Sequence, residues 1–177
     1  MINISEDMKS VQYDNEQYLE ELMTEYGTQL KRYAHLMLKD EHLAEDAVQK
    51  TFINFYYSIK GFRHESSTKN YLYSILTNEC KQIKRRSWFR KERNTSQEIE
   101  LEHSYNMDDN LNRILITQSL AKIKPKYREI IILYYYQKFS VADIAEILNL
   151  TKSAVKSRLK YARENLKKYL EEVFIDE

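Results

Sequence analysis

Between Asn15 and Leu38 the apolar side chains Leu19, Leu22, Met23, Tyr26, Leu30, Tyr33, Ala34 and Met37 fall three and four apart. That spacing gathers side chains on one face of an α-helix. Gly27 interrupts the run and offers a place for it to bend. After a turn at Lys39 to Glu41, a second stripe runs through Leu43, Ala44, Ala47, Val48, Phe52, Phe55 and Ile59, with Glu45, Asp46, Gln49, Lys50 and Asn54 on the opposite side. Gly61 suits a C-cap, the stretch GFRHESST reads as a loop, and Ser67 or Thr68 can cap a third helix. That helix would bury Leu72, Ile75, Leu76 and Ile83 and end in KRRSWFRKER.

From about Arg93 to Asp109 the chain becomes polar and acidic and loses its apolar stripe, which is the text of a linker. A fresh helical pattern starts near Leu111, with Asp109 or Asn110 as its cap, and carries Ile114, Leu115, Leu120 and Ile123. Pro125 then opens the next helix, Lys126 to Gln137, at a position where its missing N–H does no harm. With 2 glycines, 1 proline and no alternating strand pattern in 177 residues, the expected fold is all-α. The expected organisation is two small helical domains, residues 1–92 and 110–177, joined by a flexible linker at 93–109, the second a helix-turn-helix.

The pattern is most specific in SVADIAEILNLTKSAVKSRLKYAR, residues 140–163. Ser140 can cap a helix from Val141 to Leu148 whose inward face is Ile144, Ala145 and Leu148. A small side chain at Ala145 lets a second helix cross closely. Asn149 stands where the chain must turn, and asparagine is the non-glycine residue best able to take the left-handed conformation. Leu150 would plug the elbow, Thr151 would cap the following helix, and Val155, Leu159, Ala162 and Leu166 form its apolar stripe. At about 100° per residue, Ser153, Ser157 and Lys160 then lie opposite the core, Lys152, Lys156 and Arg163 on one flank, and Arg158 on the other. Short hydroxyl side chains near base edges and long cations near phosphates are what a recognition helix needs in a major groove. A solvated cationic face on a helical hairpin would have the same composition; the small residue at 145 and the left-handed turn favour the groove-reading helix.

Charge sharpens the picture once it is divided along the chain. The net charge is +1, yet residues 1–60 carry 6 basic and 11 acidic side chains, residues 61–93 carry 9 and 3, residues 94–125 carry 3 and 5, and residues 126–177 carry 10 and 8. An acidic front and two cationic surfaces are therefore expected. The single cysteine, Cys80, cannot form an internal disulfide, and no apolar run approaches the ~18 residues of a membrane span. A cytoplasmic location is expected. The 4 histidines and 1 cysteine show no metal-ligand spacing, and no Gly-rich phosphate loop or nucleophile elbow is present. Neither catalysis nor a cofactor or metal is expected.

The segment YREIIILYYYQKFSVADIAEILNLTKSAVKSRLKYARENL resembles the C-terminal domain of extracytoplasmic-function (ECF) sigma factors, the promoter-specificity subunits of bacterial RNA polymerase. LAEDAVQKTFINFY followed by NYLYSILTNECKQIKRR resembles that family's N-terminal domain, in the same order and spacing. The resemblance implies that the helix with the AED-x-x-Q pattern docks on the polymerase core, the β-prime coiled coil, through Asp46 and Gln49, flanked by Glu45, Lys50 and Asn54. It implies that the third helix reads and opens the minus-ten element with Asn78, Lys81, Gln82, Lys84, Arg85 and Arg86, helped by Arg63 and His64 of the preceding loop. Tyr71 stands where the family often has tryptophan, either in the core or as a stacking platform. The minus-35 contacts fall to Lys152, Ser153, Lys156, Ser157, Arg158, Lys160 and Arg163, with the β flap as a second core contact. Two departures, Ser153-Ala154 ahead of Val-Lys-Ser-Arg and Tyr161 in place of the family's arginine, put the minus-35 preference in doubt. An anti-sigma factor, often membrane-anchored in the family, is an implied partner. The rival reading is a free-standing helix-turn-helix regulator that acts without core polymerase.

Overall fold

The computed structural model describes residues 4–59, 67–93, 119–120 and 122–175, with side chains placed over 15–59, 67–87, 119–120 and 122–169. Within these residues every regular element is a helix. They are α1 (Ile4–Leu38), α2 (Glu41–Ser58), α3 (Thr68–Arg93), α4 (Pro125–Ile131), which continues as a π-helical turn over Ile132–Tyr136, α5 (Val141–Ile147) and α6 (Lys152–Ile175). Gly61, the loop residues 61–66, the linker and the helix start expected near Leu111 lie outside the described residues.

The apolar stripes build the core as their spacing predicts. α1 contributes Leu22, Leu30, Tyr33, Ala34 and Met37, α2 contributes Ala44, Ala47, Phe52 and Phe55, and α3 contributes Leu72, Tyr73, Leu76, Cys80 and Ile83. Three small alanines among these let α1 and α2 approach closely. α1 runs through Gly27 as one continuous helix. The turn after it is made by Lys39 at φ 60°, whose N–H bonds the His35 carbonyl at 2.7 Å, and Asp40 caps α2 by accepting from the Leu43 N–H at 2.8 Å. Ser67 caps α3, accepting from the Asn70 N–H at 3.1 Å. Inside the bundle the Tyr33 and Thr77 hydroxyls share a hydrogen bond of 3.0 Å, which removes the cost of burying two polar groups.

This core does not stop at α3. Ile130, Ile132, Leu133, Phe139, Ile144, Ala145, Ile147, Val155 and Leu159 belong to the same continuous apolar cluster. A smaller cluster, Leu120, Ile123, Ile131 and Ala162, lies under Tyr127, Leu166 and Tyr169 and closes the far side of α6. Buried Arg128 ties the chain ahead of Pro125 to α4, donating to the carbonyls of Leu120 at 2.7 Å and Ile123 at 3.1 Å. The two helical units are therefore packed on each other, α3 against α5 and α1 against α4 and its π-helical turn, where the acidic linker alone would have left them independent.

Candidate nucleic-acid interface

The helix-turn-helix forms from its own local signals. Ser140 and Asp143 make a reciprocal capping box at the start of α5: the Asp143 N–H donates to Ser140 Oγ at 3.1 Å and the Ser140 N–H to Asp143 Oδ2 at 3.0 Å. The chain leaves α5 through Asn149 at φ 51°, in the left-handed region, and the Leu150 N–H closes the turn on the Ala145 carbonyl at 2.8 Å. Ile144 and Ala145 are buried as expected. At the third inward position Ile147 is buried, whereas Leu148, expected to face inward, is the half-buried C-cap of α5; the two lie about 100° apart around the helix, and the inward side falls on 147. Thr151 caps α6, accepting from the Ala154 N–H at 3.2 Å, and Val155, Leu159 and Ala162 are buried.

α6 therefore presents Lys152, Ser153, Lys156, Ser157, Lys160 and Arg163 to solvent along one surface. The Ser153 hydroxyl is shared with Thr151 at 3.1 Å. Lys160 lies 4.0 Å from Glu164 but stays highly exposed. Arg158 differs from its neighbours: it is half-buried on the flank that faces Glu129 of α4. Arg163 is held by aromatic residues that the sequence reading did not name. Its Nε donates to the Tyr135 hydroxyl at 2.7 Å, and its guanidinium lies 5.5 and 5.6 Å from the Tyr134 and Tyr135 ring centres. Tyr161 packs against Tyr127 with ring centres 4.5 Å apart while remaining exposed.

On α3, Asn78, Lys81, Gln82 and Arg85 line one open depression, and Arg86 is exposed beside it. Lys84 departs from the expected cationic outer surface. Its ammonium is out of contact with solvent and has no hydrogen-bond partner, and its pKa falls to about 8, first through burial and then through the nearby Arg128 charge. The Lys81 ammonium reaches the buried carboxylate of Glu129 at 3.2 Å; burial raises the Glu129 pKa and Lys81 opposes that rise. Tyr71 is half-buried with its ring 5.9 Å from Phe55, so it takes part in packing. Arg63 and His64 lie outside the described residues.

The α2 face is as the pattern predicts: Glu45, Asp46, Gln49, Lys50 and Asn54 are exposed, and Ile53 and Tyr57 continue the same surface. Two of these residues are already engaged. Glu45 accepts from the Lys31 ammonium at 2.7 Å, which holds its carboxyl below the ordinary range, and Asn54 donates to Glu79 at 3.0 Å.

Two family models match the chain unit by unit: Sigma-70 region 2 over residues 22–90 and Sigma-70 region 4 over residues 113–166. The ECF RNA polymerase sigma factor SigL of Mycobacterium tuberculosis is 31% identical over 156 residues, spanning 86% of this chain and 88% of that protein. The chain belongs to the ECF RNA polymerase sigma factors. The sigma factor SigW of Bacillus subtilis is 26% identical and aligns with 96% of this chain and 98% of its own. Among solved structures, the sigma factor RpoE in complex with the anti-sigma factor NepR from Bartonella quintana superposes with a TM-score of 0.76 at 26% identity, over 88% of this chain and 97% of that one. CnrH in complex with the cytosolic domain of CnrY shares the fold, with a TM-score of 0.68 at 20% identity, over 92% of this chain and 94% of that one. The sigma factor is a promoter-specificity subunit of RNA polymerase, and its family is not a class of enzymes. The region 2 match disfavours the rival reading of a free-standing helix-turn-helix regulator, which has no need of that unit. No described helix is long and apolar enough to cross a membrane, and no described cluster of His, Cys, Asp and Glu could hold a metal ion.

Proposed function

We propose that this sigma factor divides promoter recognition between its two helical units, residues 1–92 and 110–177, with 93–109 as the tether. The observation that carries the reading is the exposed row Lys152, Lys156, Ser157 and Lys160 on α6, presented by the left-handed turn at Asn149. Entering the major groove of the minus-35 element by its N-terminal half, α6 sets lysines against phosphates and Ser153 and Ser157 near base edges. Arg163 contacts the flanking backbone, and Arg158 joins it where the flank facing Glu129 is free.

The α3 stripe of Asn78, Lys81 and Arg85, with Arg86 and Lys84, holds the minus-ten element together with Arg63 and His64. Cationic grooves with aromatic platforms suit melted strands. The exposed α2 face, Asp46 and Gln49 flanked by Glu45, Lys50 and Asn54, docks on the β-prime coiled coil of the core, and the second unit docks on the β flap. The protein works in the cytoplasm without cofactor or catalytic step. An anti-sigma factor is its expected regulator, membrane-anchored or free; the likeness to the RpoE complex supports that partner.

Lys156→Glu combined with Lys160→Glu tests the division of labour. Run-off transcription with purified core on a randomised promoter library is expected to vanish, while co-elution with core on gel filtration is retained. Transcription that survives the double substitution overturns the placement of the recognition helix.

A further inference from the structure

The two flanks of α6 are built differently. At about 100° per residue, Arg163 and Tyr161 fall on opposite sides of the row Ser153, Ser157 and Lys160, so the two bracket the surface given above to the minus-35 groove. On the Arg163 side the cation belongs to α6 itself and rests on Tyr134 and Tyr135. The other flank, through Ala154, Arg158 and Tyr161, exposes no cation of α6: Arg158 is half-buried toward Glu129, and position 161 is a tyrosine. The exposed positive charge there comes from α4. The Tyr161 ring meets the Tyr127 ring with centres 4.5 Å apart and planes inclined at 39°, and the Lys126 ammonium lies 4.9 Å from the centre of the Tyr127 ring.

An ammonium held over a ring is positioned without being neutralised, because the ring offers a quadrupole and no net charge. Two other lysines show the contrast. Lys31 is shared between Glu41 and Glu45 at 3.0 and 2.7 Å, and Lys160 lies 4.0 Å from Glu164. Among the described residues no carboxylate pairs with Lys126, and the Tyr127 and Tyr161 hydroxyls have no hydrogen-bond partner. Lys126 and Tyr161 are exposed and Tyr127 is half-buried, so this shelf offers one full positive charge beside two O–H donors. Lysine ammonium and tyrosine hydroxyl are both groups that meet the phosphates of a nucleic acid. Tyr161 follows Ser157 by four residues, the spacing of neighbours on one helix face, so the shelf continues the recognition surface and is not a separate patch.

We propose that Lys126, carried on the Tyr127–Tyr161 stack, is a binding site for a backbone phosphate of promoter DNA at the edge of the minus-35 element. The inference rests on α6 entering the groove as read above, and it adds a contact from outside the helix-turn-helix itself. The duplex is then gripped on both sides of α6, by Arg163 on one and by Lys126 on the other. Because phosphates carry no base identity, the site raises affinity and leaves the preferred sequence to Ser153, Ser157 and their neighbours.

The test uses holoenzyme reconstituted from the full chain and purified core, on a promoter selected from the randomised library and ethylated at single backbone phosphates. Ethylation at a position flanking the minus-35 element is expected to block wild-type holoenzyme and to leave Lys126→Ala unaffected, while Lys126→Ala stays sensitive at the phosphates that depend on Lys156. Lys126→Ala is also expected to weaken promoter binding several-fold across the library without changing the preferred sequence, and to lower the slope of log affinity against log salt by about one. Lys126→Arg should restore both. Tyr161→Ala, which keeps the charge and removes the outer ring of the stack, is expected to weaken the same interference. Lys126 is exposed, so its thermal melt should not move; a role in packing alone would shift the melt and leave the interference pattern as in wild type. An interference pattern and salt slope shared by wild type and Lys126→Ala overturn this proposal alone if Lys156→Ala still loses its own phosphates. If Lys156→Ala loses none either, the groove reading of α6 falls with it.

Discussion

Arg163 and Tyr135 are joined twice over: the guanidinium donates to the phenol oxygen at 2.7 Å and lies 5.6 Å from the ring centre. The contact fixes a long cation at the edge of the proposed recognition surface, next to the π-helical turn at Ile132–Tyr136 that carries Tyr134 and Tyr135.

Because both partners are exposed, the pair is expected to contribute modestly to stability. A double-mutant cycle with Arg163→Ala and Tyr135→Ala should give a coupling of about 0.5–1 kcal/mol in urea denaturation. Tyr135→Phe should keep the stacking part and lose the hydrogen bond. A coupling near zero would mean that Arg163 is not held by the aromatic pair in solution.

Much of the fold was legible because its causes are local. The periodic stripes named most of the core, Ser140 and Thr151 announced two helix starts, and Asn149 announced the turn, each through chemistry acting over three or four residues. Lys39 and Lys138 also adopt positive φ, at 60° and 59°, but nothing in a lysine side chain signals a left-handed turn. The partners across the two units could not be read at all. Asn70 meets Asp143 and Glu146 across 73 and 76 positions, and periodicity tells which face of a helix is polar without telling what covers it. Lys84 is the sharpest case: in a run of lysines and arginines it reads as one more solvated cation, and nothing local to the sequence shows that its ammonium is buried near Arg128 and Glu129.

That inward turn has a consequence for pH. The Lys84 ammonium titrates at about 8 in the folded protein, lowered by burial and by Arg128, with Lys39 adding to the effect and Cys80 and Glu129 opposing it. The unfolded chain keeps the ordinary lysine value near 10.4. Between these values the unfolded state binds more protons, so stability rises with pH through this window, and below about 8 the full cost of the buried charge is present. The Cys80 thiol, pushed up to about 12 by burial, stays neutral throughout. Lys84→Met is expected to raise the melting temperature at pH 7, by an amount on the order of 2 kcal/mol in stability, with the advantage shrinking as pH approaches 10. If α3 holds the minus-ten element as proposed, the same change should also weaken promoter opening. An advantage independent of pH would show that Lys84 titrates normally.

Gly27 offers a cleaner change. It lies within α1, and a β-carbon added there would meet nothing within 4 Å. Glycine loses more backbone freedom on entering a helix than alanine does, so Gly27→Ala should stabilise the protein by roughly 0.5–1 kcal/mol. The urea midpoint should rise with an unchanged slope, and core binding should be unaltered. A lowered midpoint would indicate that α1 bends at this residue in solution, the behaviour the sequence alone suggested.

The elbow at Asn149 links backbone conformation to recognition. At φ 51° a β-branched side chain is disfavoured by about 1–2 kcal/mol, whereas glycine carries no steric penalty. Asn149→Val is therefore expected to lower stability by that amount and, if the turn adjusts to relieve the strain, to re-aim Lys152 and Lys156 at the start of α6. Asn149→Gly should keep both stability and aim within a few tenths of a kcal/mol. Thermal melts read the first effect, and run-off transcription on a fixed promoter at a temperature where both variants are folded reads the second. Equal stability of the valine and glycine variants would mean that residue 149 does not adopt the left-handed conformation in solution, and with it the α5–α6 geometry on which the proposed placement of the lysines depends would be lost.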